Sequence, residues 1–543
     1  MTAKRRVLLT GSAGRVGTAV REWVRGRWDL VCFDRVPTPG FPDAIVGDLS
    51  DPGALDRAAA GCDAIVHLAA RPNPADFLSK IMPANVVGAW NLFEAAVRAK
   101  VRRVVVASTL QVEFGHPKGT KVSVDMAPRP SNTYAASKVW TENLGRIYAR
   151  RHGLSVVALR FGMVVPPHLV DRYLEWGQIP SEITLTGRDA CEIVVRAVEK
   201  PGIDFAVLPA FSRNARDIRD LSPLKEVLDY EPQDDAFMLW PARRDPHEHM
   251  TLGHRLHHLR HDLGRWWARI PGRARRAARS RRVRSGRRVR RVLVTGSAGY
   301  VGTAFRKWAG DRYRFTCFDR VPTPGFPDAI VGDLRDRAAV DRAMRGADAV
   351  LHLGGARDPA DFMSVILPDN IIGTCNVYES AARAGVSRVV FASTLQADEG
   401  WPRGTRVSVD MPARPLNLYA AAKVLGEDLG RTAAFRTGLP VIALRLGWVM
   451  IPEDPEWKAM EGTEPPAVTV TIRDCFEVFA RALAGPKTGT VREACGFAAA
   501  REPQFALLPV YSRNAAGIRD LSPLKDVLGY EPQDDPVKEF RGS

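Results

Sequence analysis

Residues 6–17 read RVLLTGSAGRVG, and this stretch decides the fold. The apolar run Arg6–Thr10 predicts a β-strand, and the residues that follow the turn predict a helix. Between them Gly11, Gly14 and Gly17 keep the spacing G-x-x-G-x-x-G, which suits a tight turn at a helix N-terminus. Backbone N–H groups at such a turn can approach a phosphate closely, so the stretch predicts a phosphate-binding strand, turn and helix.

Asp34 ends the next predicted strand, Leu30–Asp34, and follows Gly17 by seventeen residues. A carboxylate at this place accepts hydrogen bonds from both hydroxyls of a ribose and repels a 2′-phosphate. The pattern therefore predicts a dinucleotide site that favours NAD over NADP, a preference that the following Arg35 softens. The predicted cofactor-binding residues of the loop are Gly11, Gly14, Arg15, Val16 and Gly17.

The segment 33–49, FDRVPTPGFPDAIVGDL, recurs letter for letter at 318–334. The offset of 285 residues holds as far as Arg473 and then grows to 300, so the second copy carries about fifteen extra residues near 487–503. A period of this size indicates duplication of a whole domain rather than a solenoid. The second copy repeats the predicted cofactor-binding residues as Gly296, Gly299, Tyr300, Val301, Gly302 and Asp319.

The repeat sets the predicted domain boundaries at 1–238 for the first unit, 239–289 for a linker and 290–543 for the second unit. In each copy short apolar strands alternate with helical stretches, which indicates a parallel sheet covered by helices on both faces. We therefore predict an α/β fold of two Rossmann-type doubly wound units, each ending in a small C-terminal substrate portion. In the first copy the further predicted elements are strands at 64–68, 103–108 and 155–160 and a helix at 91–99.

Tyr134 and Lys138 form a Y-x-x-x-K pair, which Tyr419 and Lys423 repeat. Residues four apart share one face of a helix, so the lysine ammonium is expected near the phenol. A positive charge there stabilises the phenolate and lowers the pKa of the tyrosine. The tyrosine is then predicted to act as a general base on a hydroxyl, or as an acid in the reverse direction.

Together these motifs resemble the short-chain dehydrogenase/reductase superfamily, in its extended, NAD-dependent epimerase/dehydratase branch. The resemblance covers nearly all of both copies. In the first copy it rests on the glycine loop, Asp34, Gly47-Asp48-Leu49, His67-Leu68-Ala69-Ala70, Asn85, Ser108-Thr109 and the Tyr134/Lys138 pair. The second copy has Gly332-Asp333-Leu334, His352-Leu353-Gly354-Gly355, Asn370 and Ser393-Thr394 at the matching places.

The resemblance implies a catalytic role for four residues of each copy. Tyr134 is implied to be the acid/base, and Lys138 to bind the nicotinamide ribose and tune the tyrosine. Thr109 stands where the family usually has a serine that orients the substrate oxygen, and the adjacent Ser108 is an alternative for that role. The second copy repeats these roles in Tyr419, Lys423, Thr394 and Ser393.

The resemblance also implies a set of cofactor contacts. Asp48 and Leu49 are implied to contact adenine, Leu68 and Ala69 to line the cofactor, and Asn85 to be structural or to support a proton relay. The matching contacts of the second copy are Asp333, Leu334, Leu353 and Gly354.

Fewer than a hundred residues separate Lys138 from Asp235, so each copy has little surface for a sugar nucleotide. In this respect, within the branch, the copies look most like uronate dehydrogenases. They depart from the uronate dehydrogenase pattern at two places. Where that pattern implies an Asn-His pair that faces the substrate, both copies have other residues. Where it implies a serine, the first copy has Met163 and the second has Trp448. The matching pairs here are Leu110-Gln111 and Leu395-Gln396. The predicted substrate contacts are Gln111, Gln396, Arg71 and Arg357, with Arg172 as a further carboxylate partner, although the arginines are equally consistent with solvated surface side chains.

The predicted function is an NAD-dependent oxidoreductase that transfers a hydride between the cofactor and a small sugar-like or uronate-like substrate. One alternative is a sugar epimerase or dehydratase that retains its NAD. Another is a non-catalytic NAD-binding sensor or scaffold. The sequence also predicts an intramolecular pseudo-dimer of the two units or a homo-oligomer, because the Tyr-Lys helices of this superfamily often pair, with Val139, Trp140, Leu144 and Ile147 supplying apolar surface.

The formal net charge of +17 is concentrated in the linker, where Arg273 to Arg291 contains eleven arginines and no acid. This stretch is predicted to be a tether that is also suited to weak, non-specific binding of nucleic acid or anionic lipid. Apolar residues at helical spacing over 251–270 predict an amphipathic helix that packs on a unit or lies on a membrane surface. Four histidines surround that helix, but without an acidic or cysteine co-ligand no metal site is predicted.

The seven cysteines have irregular spacing and no C-x-x-C pair, which favours reduced thiols in a cytoplasmic protein. No window of eighteen apolar residues occurs, so a transmembrane helix is not predicted.

Overall fold

The computed structural model describes residues 4–117, 119–164, 183–213, 218–235, 291–451, 467–485, 505–513 and 517–536. These residues form two compact units, one built mainly from the first copy and the other mainly from the second. Arg172, residues 239–289 of the predicted linker and the extra segment 487–503 lie outside the described residues. In the described part of the chain, no helix is both long enough and apolar enough to cross a membrane.

The first unit is an α/β sandwich of three layers. Its strands are β1 Arg6–Thr10, β2 Asp29–Asp34, β3 Ile45–Val46, β4 Ala64–His67, β5 Arg103–Thr109, β6 Ser155–Phe161, β7 Met163–Val164, β8 Thr184–Leu185 and β9 Phe205–Ala210. Its helices are α1 Arg15–Trp23, α2 Pro52–Ala59, a π-helical segment Phe77–Val87, α3 Gly88–Arg98, a 3₁₀ turn Leu110–Glu113, α4 Thr133–His152, α5 Gly187–Glu199 and α6 Ser222–Leu228. Seven strands form one parallel sheet in the order β3-β2-β1-β4-β5-β6-β9, and β7 pairs with β8 separately.

The second unit repeats this architecture. Its strands are β10 Arg291–Thr295, β11 Arg314–Asp319, β12 Ile330–Val331, β13 Ala349–His352, β14 Val389–Thr394, β15 Val441–Leu446, β16 Trp448–Met450, β17 Thr469–Thr471 and β18 Phe505–Val510. Its helices are α7 Tyr300–Ala309, a 3₁₀ turn Gly310–Arg312, α8 Arg337–Ala343, a π-helical segment Phe362–Ile372, α9 Gly373–Ala384, a 3₁₀ turn Leu395–Asp398, α10 Leu418–Thr437, α11 Ile472–Ala484 and α12 Ser522–Leu528. The parallel sheet has the order β12-β11-β10-β13-β14-β15-β18, and β16 pairs with β17.

The predicted fold class, two Rossmann-type doubly wound units, is confirmed. The predicted strand Arg6–Thr10 has the observed bounds, and the other predicted strands differ from the observed ones by one residue at an end. The sequence did not indicate the π-helical segment Phe77–Val87, which contains Pro83 and runs directly into α3. Proline removes an N–H donor, so the usual i to i−4 ladder cannot pass through it, and the wider turn accommodates it.

The parallel sheets are buried on both faces, which explains their β-branched composition. In β5, Val104, Val105 and Val106 are at most 1% exposed, as expected for strands with helices on either side. One side of the first sheet packs against α1 and α5 through residues such as Val20 and Ile193. Complete burial of each such side chain contributes about 1.5–3 kcal/mol.

The strand order reverses between β1 and β4 in the first unit and between β10 and β13 in the second. Connections leave the sheet in opposite directions at this point, so a crevice opens at the carboxyl ends of the two strands. A buried hydrogen bond of 2.7 Å joins Thr10 Oγ1 to His67 Nδ1 across the base of the first crevice. Thr295 and His352 make the same contact in the second unit, also at 2.7 Å.

Gly302→Ala is expected to destabilise the second unit, because the new Cβ would run into the carbonyl oxygen of Gly296 and lie 3.1 Å from Ser297 Cα. A shift of this turn should cost about 1–3 kcal/mol and loosen the loop. Differential scanning calorimetry of the full chain measures the effect. Gly517→Ala in the same unit is the matched control, since nothing lies within 4 Å of its Cβ position; equal destabilisation by both substitutions would contradict the close approach.

Candidate active site

The glycine loop of each unit packs directly on the end of the neighbouring strand. Gly11 has a φ of 73°, and a Cβ there would lie 2.7 Å from the backbone nitrogen of Ala69. Gly296 has a φ of 70°, and its Cβ would lie 2.7 Å from the nitrogen of Gly354. Only glycine fits this combination of backbone conformation and distance. The structure thereby brings together the predicted loop and the predicted cofactor-lining residues at Leu68–Ala69.

Asp34 belongs to the same site as the loop. Its carboxylate accepts hydrogen bonds from the backbone nitrogen of Ala13 at 3.0 Å and from that of Arg35 at 2.7 Å. In the second unit Asp319 accepts from Ala298 at 2.9 Å and from Arg320 at 2.7 Å. The carboxylate is thus fixed at the edge of the phosphate turn, where a ribose bound to that phosphate would present its hydroxyls.

Arg21 supports the loop from below, and sequence reasoning missed it. Its Nε donates to the carbonyl of Ser12 at 2.8 Å, although the residue is only 7% exposed. Arg306 donates to Ser297 in the same way, with Nη2 at 2.9 Å. A charged residue repeated on the buried face of a predicted amphipathic helix is the signal that would have found this pair.

The Asp48–Leu49 turn is held by α3. Asn91 Nδ2 donates to the carbonyl of Leu49 at 3.0 Å, and a Cβ on Gly88 would lie 2.6 Å from Leu49 Cβ. The pKa of Asp48 lies below its usual range, because Ser50 donates backbone and side-chain hydrogen bonds to the carboxylate. In the second unit, Asn376 donates to Leu334, and an Arg335 side chain lowers the pKa of Asp333.

Both lysines of the predicted Tyr-Lys pairs are buried, Lys138 in α4 and Lys423 in α10. Lys138 is 2% exposed and Lys423 is 6% exposed, and burial lowers the pKa of each to about 8. Lys423 Nζ donates to the carbonyl of Ala392 at 3.0 Å and lies 5.9 Å from the centre of the Tyr419 ring. In the second unit the lysine ammonium therefore lies close to the phenol, as the spacing of the two residues predicts.

Burial raises the pKa of Tyr419, and a hydrogen bond from Thr394 and the charge of Arg357 lower it to a smaller extent. The expectation that the lysine would lower this pKa is not met, because burial disfavours both the phenolate and the ammonium that would stabilise it. The groups that do favour the phenolate are a hydroxyl and a guanidinium. Sequence spacing alone had no information on the depth of burial.

The neighbouring histidines are neutral. Burial lowers the pKa of His67 to about 3, and the charge of Lys138 lowers it further in the same direction. His352 also has a pKa of about 3 for the same two reasons, burial first and then Lys423. Neutral imidazoles below the crevice leave each lysine as the local positive charge.

The structure separates the two candidates for the substrate-orienting hydroxyl. Ser108 Oγ donates to the buried Glu142 at 2.5 Å, and Ser393 Oγ donates to Glu427 at the same distance. These hydroxyls are committed to carboxylates inside the units, so they are unsuited to the catalytic role that the sequence left open for them. Thr394, by contrast, acts on the phenol of Tyr419, whose pKa it lowers.

Each of these glutamates is neutralised by a buried arginine. Arg160 donates to Glu142 through Nε at 3.0 Å and through Nη2 at 2.9 Å. Arg445 binds Glu427 at 2.9 Å and 2.7 Å. A bidentate pair of this kind keeps the two buried charges mutually satisfied, and removal of one partner would be strongly destabilising.

Asn85 clamps the loop after β4. Its side chain accepts from the nitrogen of Arg71 at 2.7 Å, donates to the carbonyl of Arg71 at 3.1 Å, and donates to Ser137 Oγ at 2.9 Å. Asn370 holds Ala356 similarly, with bonds of 2.7 Å and 3.2 Å. These contacts favour the structural role among the two that the resemblance implied.

The predicted substrate contacts are less uniform than the cofactor site. Arg71 and Arg357 do not occupy equivalent positions, because the residue that matches Arg71 is Ala356. Gln396 Oε1 accepts a hydrogen bond of 2.8 Å from Asn417, the residue that caps α10. Gln111 follows β5 at the place that matches Gln396. Trp140 donates to the carbonyl of Val86 at 3.2 Å, so it packs inside the first unit rather than on the outer apolar face expected for it.

The fold and site define a dinucleotide-binding enzyme with a Tyr-Lys pair in each unit. The model of the NAD dependent epimerase/dehydratase family matches residues 7–180 and 292–462. The chain therefore belongs to the NAD dependent epimerase/dehydratase family and contains two copies of its domain. NAD is its cofactor, and the glycine loop, Asp34 and Lys138, with their counterparts Asp319 and Lys423, would hold it.

Curated relatives match about one copy at a time. An NAD-dependent glucose-6-phosphate dehydrogenase of Haloferax volcanii is 32% identical over 251 residues, which are 42% of this chain and 94% of that protein. An L-arabinose 1-dehydrogenase (NAD(P)(+)) of the same organism is 31% identical over 249 residues, 42% of this chain and 97% of that protein. A uronate dehydrogenase of Pseudomonas putida is 32% identical over 162 residues, 29% of this chain and 60% of that protein.

Thr394→Val is expected to lower kcat of the second unit by about 10²-fold or more, because it removes the hydroxyl that lowers the pKa of Tyr419 and is proposed to orient the substrate oxygen. Ser393→Ala should change kcat less than threefold and destabilise the unit by about 1–3 kcal/mol, since Glu427 loses a donor. Both variants are measured in a chain that also carries Tyr134→Phe, so that turnover reports the second unit. A loss of kcat by Ser393→Ala as large as that of Thr394→Val would reverse the assignment.

Lys423→Met is expected to change the pH dependence of stability. The folded-state pKa of Lys423 is about 8 and its ordinary value is 10.5. Between these values the unfolded chain binds more protons, so this lysine makes stability rise with pH in that window. The gain in Tm of the methionine variant over the parent should therefore be largest below pH 8 and shrink towards pH 10.5. Calorimetry at pH 7 and pH 10 checks this, and a pH-independent difference would contradict the buried ammonium.

Proposed function

We propose that the units oxidise a hydroxyl group of a small sugar-like substrate and transfer the hydride to NAD. The observation that carries this proposal is the buried ammonium of Lys423, 5.9 Å from the centre of the Tyr419 ring, with Thr394 at the end of β14 lowering the pKa of that phenol. A hydroxyl that binds both side-chain oxygens would have its carbon directed to the crevice where the cofactor lies. Thr109, Tyr134 and Lys138 are proposed to act in the same way in the first unit.

The proposed reaction divides the substrate's two hydrogens between protein and cofactor. Tyr419 accepts the hydroxyl proton, Thr394 fixes the hydroxyl oxygen and, with Arg357, favours the phenolate, and the ammonium of Lys423 binds the ribose. When bound, NAD supplies the nicotinamide carbon that accepts the hydride. The low-polarity surroundings strengthen each of these interactions because water does not screen them.

The second unit is proposed to favour a neutral sugar over a sugar acid or sugar phosphate. Burial raises the pKa of Glu399, and the charge of Asp358 raises it further; Asp358 also raises the pKa of Tyr419. Arg357 and Asp358 bring opposite charges to the phenol, and the further carboxylate of Glu399 beside Asp358 adds negative charge that would repel an anionic substrate. The first copy has Asn73 and Phe114 at these positions, so its proposed substrate range includes uronates.

Two alternatives follow from the same fold. Relatives of this chain include a UDP-glucose 4-epimerase of Azospirillum brasilense, 31% identical over 175 residues, which are 28% of this chain and 48% of that protein. An epimerase or dehydratase would return its hydride and accumulate no NADH. A sensor or scaffold would bind NAD without turnover, and the intact Tyr-Lys pair in both copies argues against that alternative.

Several features of the proposal concern the whole chain. Domain boundaries at 238/239 and 289/290, pairing of the two units or self-association, and weak binding of anions by the linker all stay predictions. A cytoplasmic location is supported by the six described cysteines, which are buried free thiols.

The proposed function predicts that the chain reduces NAD to NADH when it is given a suitable sugar. The substrates to test are a neutral aldose, uronates and sugar phosphates, and absorbance at 340 nm measures the NADH formed. Tyr134→Phe should lower the turnover of the first unit by about 10²-fold or more, and Tyr419→Phe should do the same in the second unit. The double variant should lose nearly all turnover of the chain. Tyr148→Phe, a buried tyrosine that binds Glu94, is the matched control and should keep turnover. Interconversion of sugars without net NADH would support the epimerase alternative, and NAD binding without either reaction would support the sensor.

A further inference from the structure

The two units differ in charge where the adenosine ribose would lie. In the second unit the guanidinium of Arg320, which follows Asp319, pairs with Asp369 at 2.9 Å between Nη2 and Oδ2 and at 3.3 Å between Nη1 and Oδ1. The carboxylate of Asp369 is only 7% exposed, whereas the Arg320 side chain is 56% exposed. The exposed Arg320 side chain thus forms an ion pair with a buried aspartate of the π-helical segment Phe362–Ile372.

The first unit lacks this acid. The position that matches Asp369 is Ala84, in the equivalent segment Phe77–Val87. Among the described residues, no carboxylate lies within ion-pair distance of the guanidinium of Arg35, and the residue is exposed. Arg35 acts electrostatically on Asp48, whose pKa it helps to lower after the hydrogen bonds of Ser50. Its side chain is therefore close to the adenosine end of the site and is not committed to another group.

From these contacts we propose that the two units discriminate differently between NAD and NADP, with Ala84 and Asp369 as the determining pair of residues. In the first unit Arg35 is free to pair with a 2′-phosphate and offsets the repulsion from Asp34. In the second unit a 2′-phosphate could recruit Arg320 only by leaving the buried carboxylate of Asp369 unpaired, which is costly.

The two units also differ in charge at the phosphate turn, where the first unit is again the more positive one. The first unit has Arg15 at the residue after the second loop glycine, and the second unit has Tyr300 there. Arg15 adds a guanidinium beside the turn in the first unit, where its Nη1 donates to the carbonyl of Val164 at 3.4 Å, and Tyr300 adds no charge. Because NAD and NADP share the pyrophosphate, Arg15 would favour both cofactors alike, and discrimination between them depends on Arg35. The inference rests on the NAD cofactor and not on the identity of the substrate.

Equilibrium binding of NADH and NADPH to the full chain, by isothermal titration calorimetry, tests the proposal. NADH should bind with a stoichiometry of two per chain. NADPH should bind one site at least about tenfold more tightly than the other, because the two sites differ by one available bidentate cation. Arg35→Ala should weaken that tighter site about tenfold and leave NADH binding unchanged within a factor of about three.

Reciprocal exchange of the determining pair completes the test. Asp369→Ala should raise the affinity of the weaker NADPH site about tenfold, and Ala84→Asp should lower that of the tighter site by a similar factor. NADH binding to every variant reports that both sites remain folded. Equal NADPH affinities of the two parent sites, or exchanges without effect, would overturn the proposal. Neither result would affect the proposed sugar oxidation, which is measured separately by NADH formation.

Discussion

The close approach of the first loop glycine to the end of the neighbouring strand is the constraint on which the rest of each unit depends. Gly11 cannot carry a side chain because its Cβ would lie 2.7 Å from the nitrogen of Ala69. This contact fixes the turn against β4, so the N-terminus of α1 points into the crevice where the strand order reverses. Asp34 and Arg21 then hold the same turn from two further directions, through the amide of Ala13 and the carbonyl of Ser12.

A second constraint is electrostatic, since each unit buries several charges close to the crevice. Lys423 is 6% exposed and Arg445 is 3% exposed, but their surroundings differ. Arg445 is matched by two carboxylates, Glu427 and Asp398, and its charge is satisfied within the protein. Lys423 donates to a backbone carbonyl, and burial lowers its pKa to about 8. The site therefore keeps a charge that a bound cofactor and substrate can use, beside another that serves the fold alone.

The sequence was sufficient for features that depend on spacing along the chain. The glycine loop, the aspartate that ends β2, the Tyr-Lys pair and the duplication follow from local periodicity and from identity at a fixed offset. Features that depend on depth and on packing across the sheet could not be predicted in this way. Adjacent hydroxyls such as Ser108 and Thr109 alternate in direction along a strand, and only the position of Glu142 on α4 decides which of them faces inward. The raised pKa of Tyr419 depends on burial for the same reason.

The duplication explains why the two sites have kept one geometry and acquired different charges. Residues that touch the backbone of the loop have little freedom, because a change at Gly11 or Gly17 would displace the turn itself. Residues around the site that do not touch the loop backbone have more freedom, because substitution there leaves the turn in place. The copies differ at such positions around the site, among them Arg15/Tyr300, Ala84/Asp369 and Phe114/Glu399. Two units in one chain can therefore diverge in the charge of the molecules they accept while the same parallel sheet and the same buried lysine remain under common constraint.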